Sequence, residues 1–226
     1  MIRPRYWTKH LVARRALRGY PLYDVPHKRA ERTITKGETQ ENFEYFINVR
    51  LSRLAYFVDW MNEHFATKPS LDGNGLRSVS DWVDQYGGGL IRYSTHVTLD
   101  AWAAYEPAWI DEYAGLNLTI DIGIFLGEYL IAKRQQLRWE IDWGHEFEPA
   151  SFESIEFGKP CLAGFPGHWT GFPLSAGLRA LLNARDLATF GNTMSRSKVL
   201  ILDAQKNLYR ANMAEDGAGD YRNEPL

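Results

Sequence analysis

A single cysteine, Cys161, stands in the 226-residue chain. It excludes an intrachain disulfide and suits a reducing compartment. No apolar core follows Arg3, Arg5 and Lys9 at the N-terminus, so a secretory signal is not expected. The longest apolar run, Leu116–Ala132, is broken by Asp121 and Glu128 and reads as too short and too polar for a membrane span. None of the six histidines falls at the His-x-x-x-His spacing that puts two imidazoles on one helix face, and a lone cysteine adds no zinc-type ligand set. Gly87-Gly88-Gly89 lacks a following Lys-Ser/Thr, so it is no phosphate cradle and reads as a helix stop. These absences leave a cytoplasmic, soluble protein with no metal or other cofactor as the expectation.

What is present begins with a core. Apolar residues make up 45% of the chain, with eight Trp and eleven Phe, enough to exclude global disorder. The net charge of −2 conceals an uneven distribution. Residues 1–36 hold ten Lys/Arg against Asp24 and Glu31, a net of +8, whereas residues 99–156 hold twelve acids against Lys133, Arg134 and Arg138, a net of −9. From Glu140 to Glu156 six carboxylates occur without a cation. Such asymmetry points to electrostatic partners, internal or external.

Periodicity sets out the elements. Residues 1–37 lack a regular pattern and contain Pro4, Pro21 and Pro26, so they read as a basic arm with a short helix at Thr8–Leu17. From about 39 to 66, Phe43, Ile47, Leu51 (or Arg50), Leu54, Val58, Met61 and Phe65 recur at helical steps, and Thr35 with Glu38, or Thr39 itself, can cap the start. A short helix over 78–86 turns Leu76, Val79, Trp82 and Val83 inward. Pro107 is placed to open a long helix running to about Gln136, in which Gly123 and Gly127 share a face and admit a neighbouring backbone. Arg138–Trp143 alternates as a half-buried strand, with Trp139, Ile141 and Trp143 on one face. Phe152–Phe157 and Cys161–Phe165 read as further strands, followed by a helix at about 174–187, and 197–213 is ambiguous between strand and helix. The expected fold is therefore α+β: a mainly helical single domain, 38–213, with a small antiparallel sheet after a long central helix, flanked by the arm 1–37 and a flexible tail, 214–226.

No catalytic constellation emerges. Pro173-Leu174-Ser175-Ala176-Gly177 resembles a nucleophile elbow, but proline replaces its first glycine, and Ser175 reads better as a residue of a first helical turn. Cys161 and His168 make a conceivable thiol–imidazole pair, against which a buried, inert cysteine is favoured. Asp121 and Glu128, seven apart on one helix face, permit an acid/base pair, with salt bridges as the favoured reading; His145 completes this enzyme alternative. Most Trp residues are core by spacing, including Trp143, while Trp7 and Trp169 sit in irregular segments and suit exposed contacts. The overall negative charge argues against nucleic acid as the partner of the basic arm, which can instead lie across the acidic region of its own or a second subunit.

The run Gly123-Ile124-Phe125-Leu126-Gly127-Glu128-Tyr129-Leu130-Ile131, followed by Arg138-Trp139-Glu140 and preceded by Leu76-Arg77-Ser78-Val79-Ser80-Asp81-Trp82, resembles immunity proteins of bacterial polymorphic and contact-dependent toxin systems and related uncharacterised domains. The resemblance covers residues 70–165. It implies a helix ending in a Leu-Gly-Glu turn, then a Trp-bearing strand, in a cytoplasmic protein that plugs a cognate toxin. The acidic face for that contact is expected from Asp142, Glu146, Glu148, Glu153 and Glu156, since electrostatic complementarity speeds and selects association. A homodimer, or a self-assembling or phage-related structural role for the arm, is the other alternative. No membrane partner is expected.

Overall fold

The structure is a computed structural model that describes residues 4–28, 34–143, 155–190, 198–213, 222 and 225–226. Among these, seven α-helices and two strands follow one another: α1 (Pro4–Ala16), α2 (Lys36–Phe65), α3 (Gly73–Tyr86), α4 (Thr95–Ala104), α5 (Gly115–Lys133), β1 (Arg138–Ile141), β2 (Pro160–Ala163), α6 (Pro173–Phe190) and α7 (Val199–Asn212). The strands pair antiparallel, Arg138 opposite Ala163 and Ile141 opposite Pro160. The mainly helical α+β architecture is the one the periodicity indicates.

A helix that is apolar on every side belongs in an interior. α5 is such a helix: Gly115 through Gly127, Tyr129 and Leu130 are all buried. By length and composition the segment Asp111–Lys133 would cross a membrane, yet 83% of its apolar window is covered by the protein itself. The two glycines of α5 serve different neighbours. A Cβ on Gly123 would stand 2.5 Å from Leu174 Cα, and one on Gly177 would stand 2.4 Å from Thr119 O, so α5 and α6 meet backbone to backbone. A Cβ on Gly127 would fall 2.1 Å from Trp139 Cζ2, so here an indole ring from β1 fills the space.

Of the two caps open to α2, the structure uses Thr35 with Glu38. Thr35 Oγ1 accepts from Glu38 N (3.2 Å) and Glu38 Oε2 accepts from Thr35 N (2.9 Å), a reciprocal cap worth about 1 kcal/mol. Its buried face is shifted from the expected stripe. Thr39, Asn42, Phe46, Arg53, Phe57, Trp60 and Met61 point inward; of the stripe, Met61 is buried and Phe43, Ile47, Leu54 and Phe65 are half-buried against the core, while Leu51 is 55% exposed. Three polar residues on the inner face rotate the true stripe by about one position from the one hydropathy marks. α3 does bury Leu76, Val79, Trp82 and Val83.

Three further expectations change. α5 starts at Gly115 rather than Pro107, because Tyr105 (φ 56°) and Asp111 (φ 48°) turn the chain left-handed. Trp109 is buried there, donating from Nε1 to Ala101 O at 3.2 Å, and Asn117 holds its carbonyl at 2.6 Å. The strand β1 stops at Ile141, which leaves Trp143 41% exposed instead of in the core. Residues 155–158 are turn, and the rest of the strand expected at Phe152–Phe157 lies outside the described residues.

The glycine triplet is a single helical turn, and it is also a contact. A Cβ on Gly88 would lie 2.6 Å from Ala188 Cβ, and one on Gly89 2.6 Å from His10 Cβ, so α6 and α1 both approach it closely. α1 and the segment to residue 28 are part of the same core: Ala13, Ala16, Leu17, Tyr20, Tyr23 and Val25 are buried in it.

Candidate functional site

The strongest polar constellation lies where residues 20–23 cross α2 and α5. Arg53 donates to Asp121 through two nitrogens, Nε to Oδ1 at 2.6 Å and Nη2 to Oδ2 at 2.8 Å, while Tyr20 Oη donates to Oδ2 at 2.7 Å. Arg53 also reaches Leu22 O at 3.2 Å, and Tyr23 N donates to Asn117 Oδ1 at 2.8 Å. Burial pushes the Asp121 carboxyl up to about 6, and Arg53 and Tyr20 pull against it, so Asp121 is ionised at neutral pH. Asp121 has no exposed surface. It is a structural anchor closed to any substrate.

Glu128, its partner in the acid/base alternative, is engaged separately. Its Oε1 accepts from Arg50 Nε at 3.1 Å and from Trp139 Nε1 at 2.8 Å. The Leu126-Gly127-Glu128…Trp139 motif thereby gains a physical account: Gly127 leaves room for the indole and Glu128 receives its N–H. The favoured salt-bridge reading describes both carboxylates. Arg50 and Arg53 carry no signal in a single sequence except that arginine interrupts an apolar helix at the positions that face α5.

The acidic set divides. Glu146, Glu148, Glu153 and His145 lie outside the described residues. Asp142 stands at the end of the ribbon, its N–H donating to Lys159 O at 3.0 Å and its carbonyl accepting from Gly158 N at 2.7 Å. Glu156 faces inward: Ser175 Oγ donates to its Oε2, and burial pushes its carboxyl up to about 7 against the pull of Ser175, Arg179 and Lys159. At neutral pH it shares a proton, which makes it a poor member of an anionic face. Ser175 is fully buried in the first turn of α6, as expected for a residue that is no nucleophile elbow.

Lys159, unmarked by any motif, is 2% exposed and donates from Nζ to Ala103 O at 2.9 Å. Its ammonium lies 3.9 Å from the Tyr105 ring centroid and 4.5 Å from that of Trp102, so π faces stand in for water around the charge. Beside it Cys161 is 1% exposed, its thiol pushed up to about 12 by burial and by Asp142, Glu140 and Glu156. Such a thiol is inert. The side chains of His168 and Trp7 are outside those described. Trp169 is 53% exposed with Arg210 stacked 4.5 Å from its ring, as a contact residue would be.

Two places among the described residues bear on binding. One is the end of the ribbon at Asp142, where the acidic stretch begins. The other is a groove of about 1130 Å³ between α1 and the 108–114 turn, with Arg14, Arg15 and Arg18 on one side and Asp111 and Glu112 on the other. No group of three His, Cys, Asp or Glu side chains suited to a metal occurs among the described residues. The chain matches no family model, no curated protein and no solved structure.

Proposed function

We propose that the protein is a cytoplasmic, immunity-type binding protein that works by stoichiometric occlusion of a cognate protein toxin. The observation that supports this reading best is how four candidate side chains among the described residues are engaged. Asp121 is locked to Arg53 and Tyr20, Glu128 to Arg50 and Trp139, and Ser175 to Glu156, while Cys161 is buried with a raised pKa. What such a molecule offers a partner is charged surface on a rigid core.

The contact face is built from Asp142 with Glu146, Glu148 and Glu153, leaving out the inward-turned Glu156. The stretch that carries these acids begins and ends at a ribbon pinned by the Asp142 bonds to Gly158 and Lys159. A run of carboxylates suits the cationic active site of an enzyme that acts on an anionic substrate, where charge complementarity raises association rate and selectivity. The test is affinity capture from the native host at low and moderate salt, repeated with Glu146→Lys/Glu148→Lys. A stoichiometric partner whose association slows about tenfold or more in the variant is expected; association kinetics unchanged by the reversal would remove the acidic face from the mechanism.

A further inference from the structure

We infer that the groove between α1 and the 108–114 turn is the docking site for a second copy of this chain, α1 of each copy lying in the groove of its partner. Three exposed large apolar side chains gather there: Leu11 (55% exposed) and Val12 (47%) on α1, and Ile110 (56%) on the opposite wall. On α1 the buried face carries Ala13 and Ala16, while Thr8, Leu11, Val12 and Arg15 fall at helical spacing on another face that lines the groove. A helix with one apolar face packed and a second facing a groove is built to be covered on both.

The charges decide what covers it. The α1 wall carries Arg14, Arg15 and Arg18, and the facing wall carries Asp111 and Glu112. Some of this charge is already used, since Arg92 pairs with Glu112 at 2.7 Å and Arg14 donates to Gly89 O at 2.7 Å. Arg15, Arg18 and Asp111 are exposed and form no ion pair among the described residues. A twofold axis requires a surface complementary to itself. Opposite signs on opposite walls, with an apolar residue on each, meet that requirement: Arg15 and Arg18 of one copy face Asp111 of its partner, and Leu11 and Val12 face Ile110. A uniformly acidic peptide would set its carboxylates against Asp111, and a net charge of −2 leaves little repulsion between two copies.

This inference stands apart from toxin binding. Its test is the molar mass of the full chain by sedimentation equilibrium, from low to high micromolar concentration. A rise from monomer to dimer is expected. Arg15→Glu and Asp111→Arg should each weaken the dimer about tenfold, and the swapped double variant should recover most of the loss. Both substituted side chains are exposed, so matching melting curves of the three variants exclude misfolding as the cause. A chain monomeric at every concentration overturns the inference, as does a dimer indifferent to both reversals. A monomer that instead takes up a glutamate-rich peptide overturns it too and assigns the groove to an acidic partner.

Discussion

α5 and the stretch from Tyr20 to Val25 are both buried in one core, and they are held by different physics. α5 is fixed largely by shape: glycines at 123 and 127 admit a backbone and an indole, and apart from Asn117, Thr119 and Asp121 its buried side chains are apolar. The N-terminal segment is fixed by polar bonds to distant residues: Tyr20 to Asp121, Arg53 to Leu22, Asn117 to Tyr23, and Asn42 to His27 in both directions at 2.9 Å. Close packing tolerates apolar exchange but not added volume, whereas a polar anchor tolerates volume change but not the loss of one partner.

The largest effect should come from breaking the polar anchor. Arg53→Ala leaves Asp121 buried without its cation and is expected to lower stability by about 3–5 kcal/mol in urea unfolding. Backbone amides of residues 20–28 should lose hydrogen-exchange protection before those of α5. Equal loss in both regions would show that the two are one cooperative unit and dissolve the contrast.

Next comes the shape-held region. Gly127→Leu drives a side chain into the space of the Trp139 ring and should cost about 1–3 kcal/mol, read as a lower melting temperature. An unchanged melting temperature would mean that the indole is not seated there.

The smallest effect concerns protons. Glu156 rises from 4.5 to about 7 and Asp121 from 3.8 to about 6 on burial. A group whose folded pKa is raised contributes stability that is full below its unfolded pKa and lost as pH rises through the folded value. These two carboxyls therefore favour the native state more at about pH 5 than at about pH 8. Glu156→Gln stays neutral throughout, so its urea midpoints at the two pH values should lie closer together than those of the unsubstituted chain. An equal gap would take Glu156 out of the linkage.

The same contrast governs how much the sequence reveals. The inward face of α3, the inward turn of Trp139 in β1 and the cap of α2 were legible because each depends on residues a few positions apart. The α2 stripe was misplaced because Thr39, Asn42 and Arg53 occupy the inner face, and hydropathy ranks them as outer. The buried role of Tyr20–Val25 was illegible because its partners lie in α2 and α5 and no local period encodes them. The candidate site divides likewise: the salt-bridge reading of Asp121 and Glu128 follows from their shared face, but the inward turn of Glu156 depends on Ser175, nineteen residues later. The self-complementary groove was hidden for that reason too, since Arg15 and Asp111 come from opposite ends of the charge asymmetry.

The bond from Tyr20 to Asp121 spans 101 positions of chain. On a ribosome that adds about 5–20 residues per second, Tyr20 is made roughly 5–20 s before its acceptor exists. Throughout that interval the segment can meet α2, through Tyr56 and Trp60, but not α5, so one of the earliest parts of the nascent chain is completed late. Codons that slow elongation before residue 121 would lengthen the time the segment spends without this anchor.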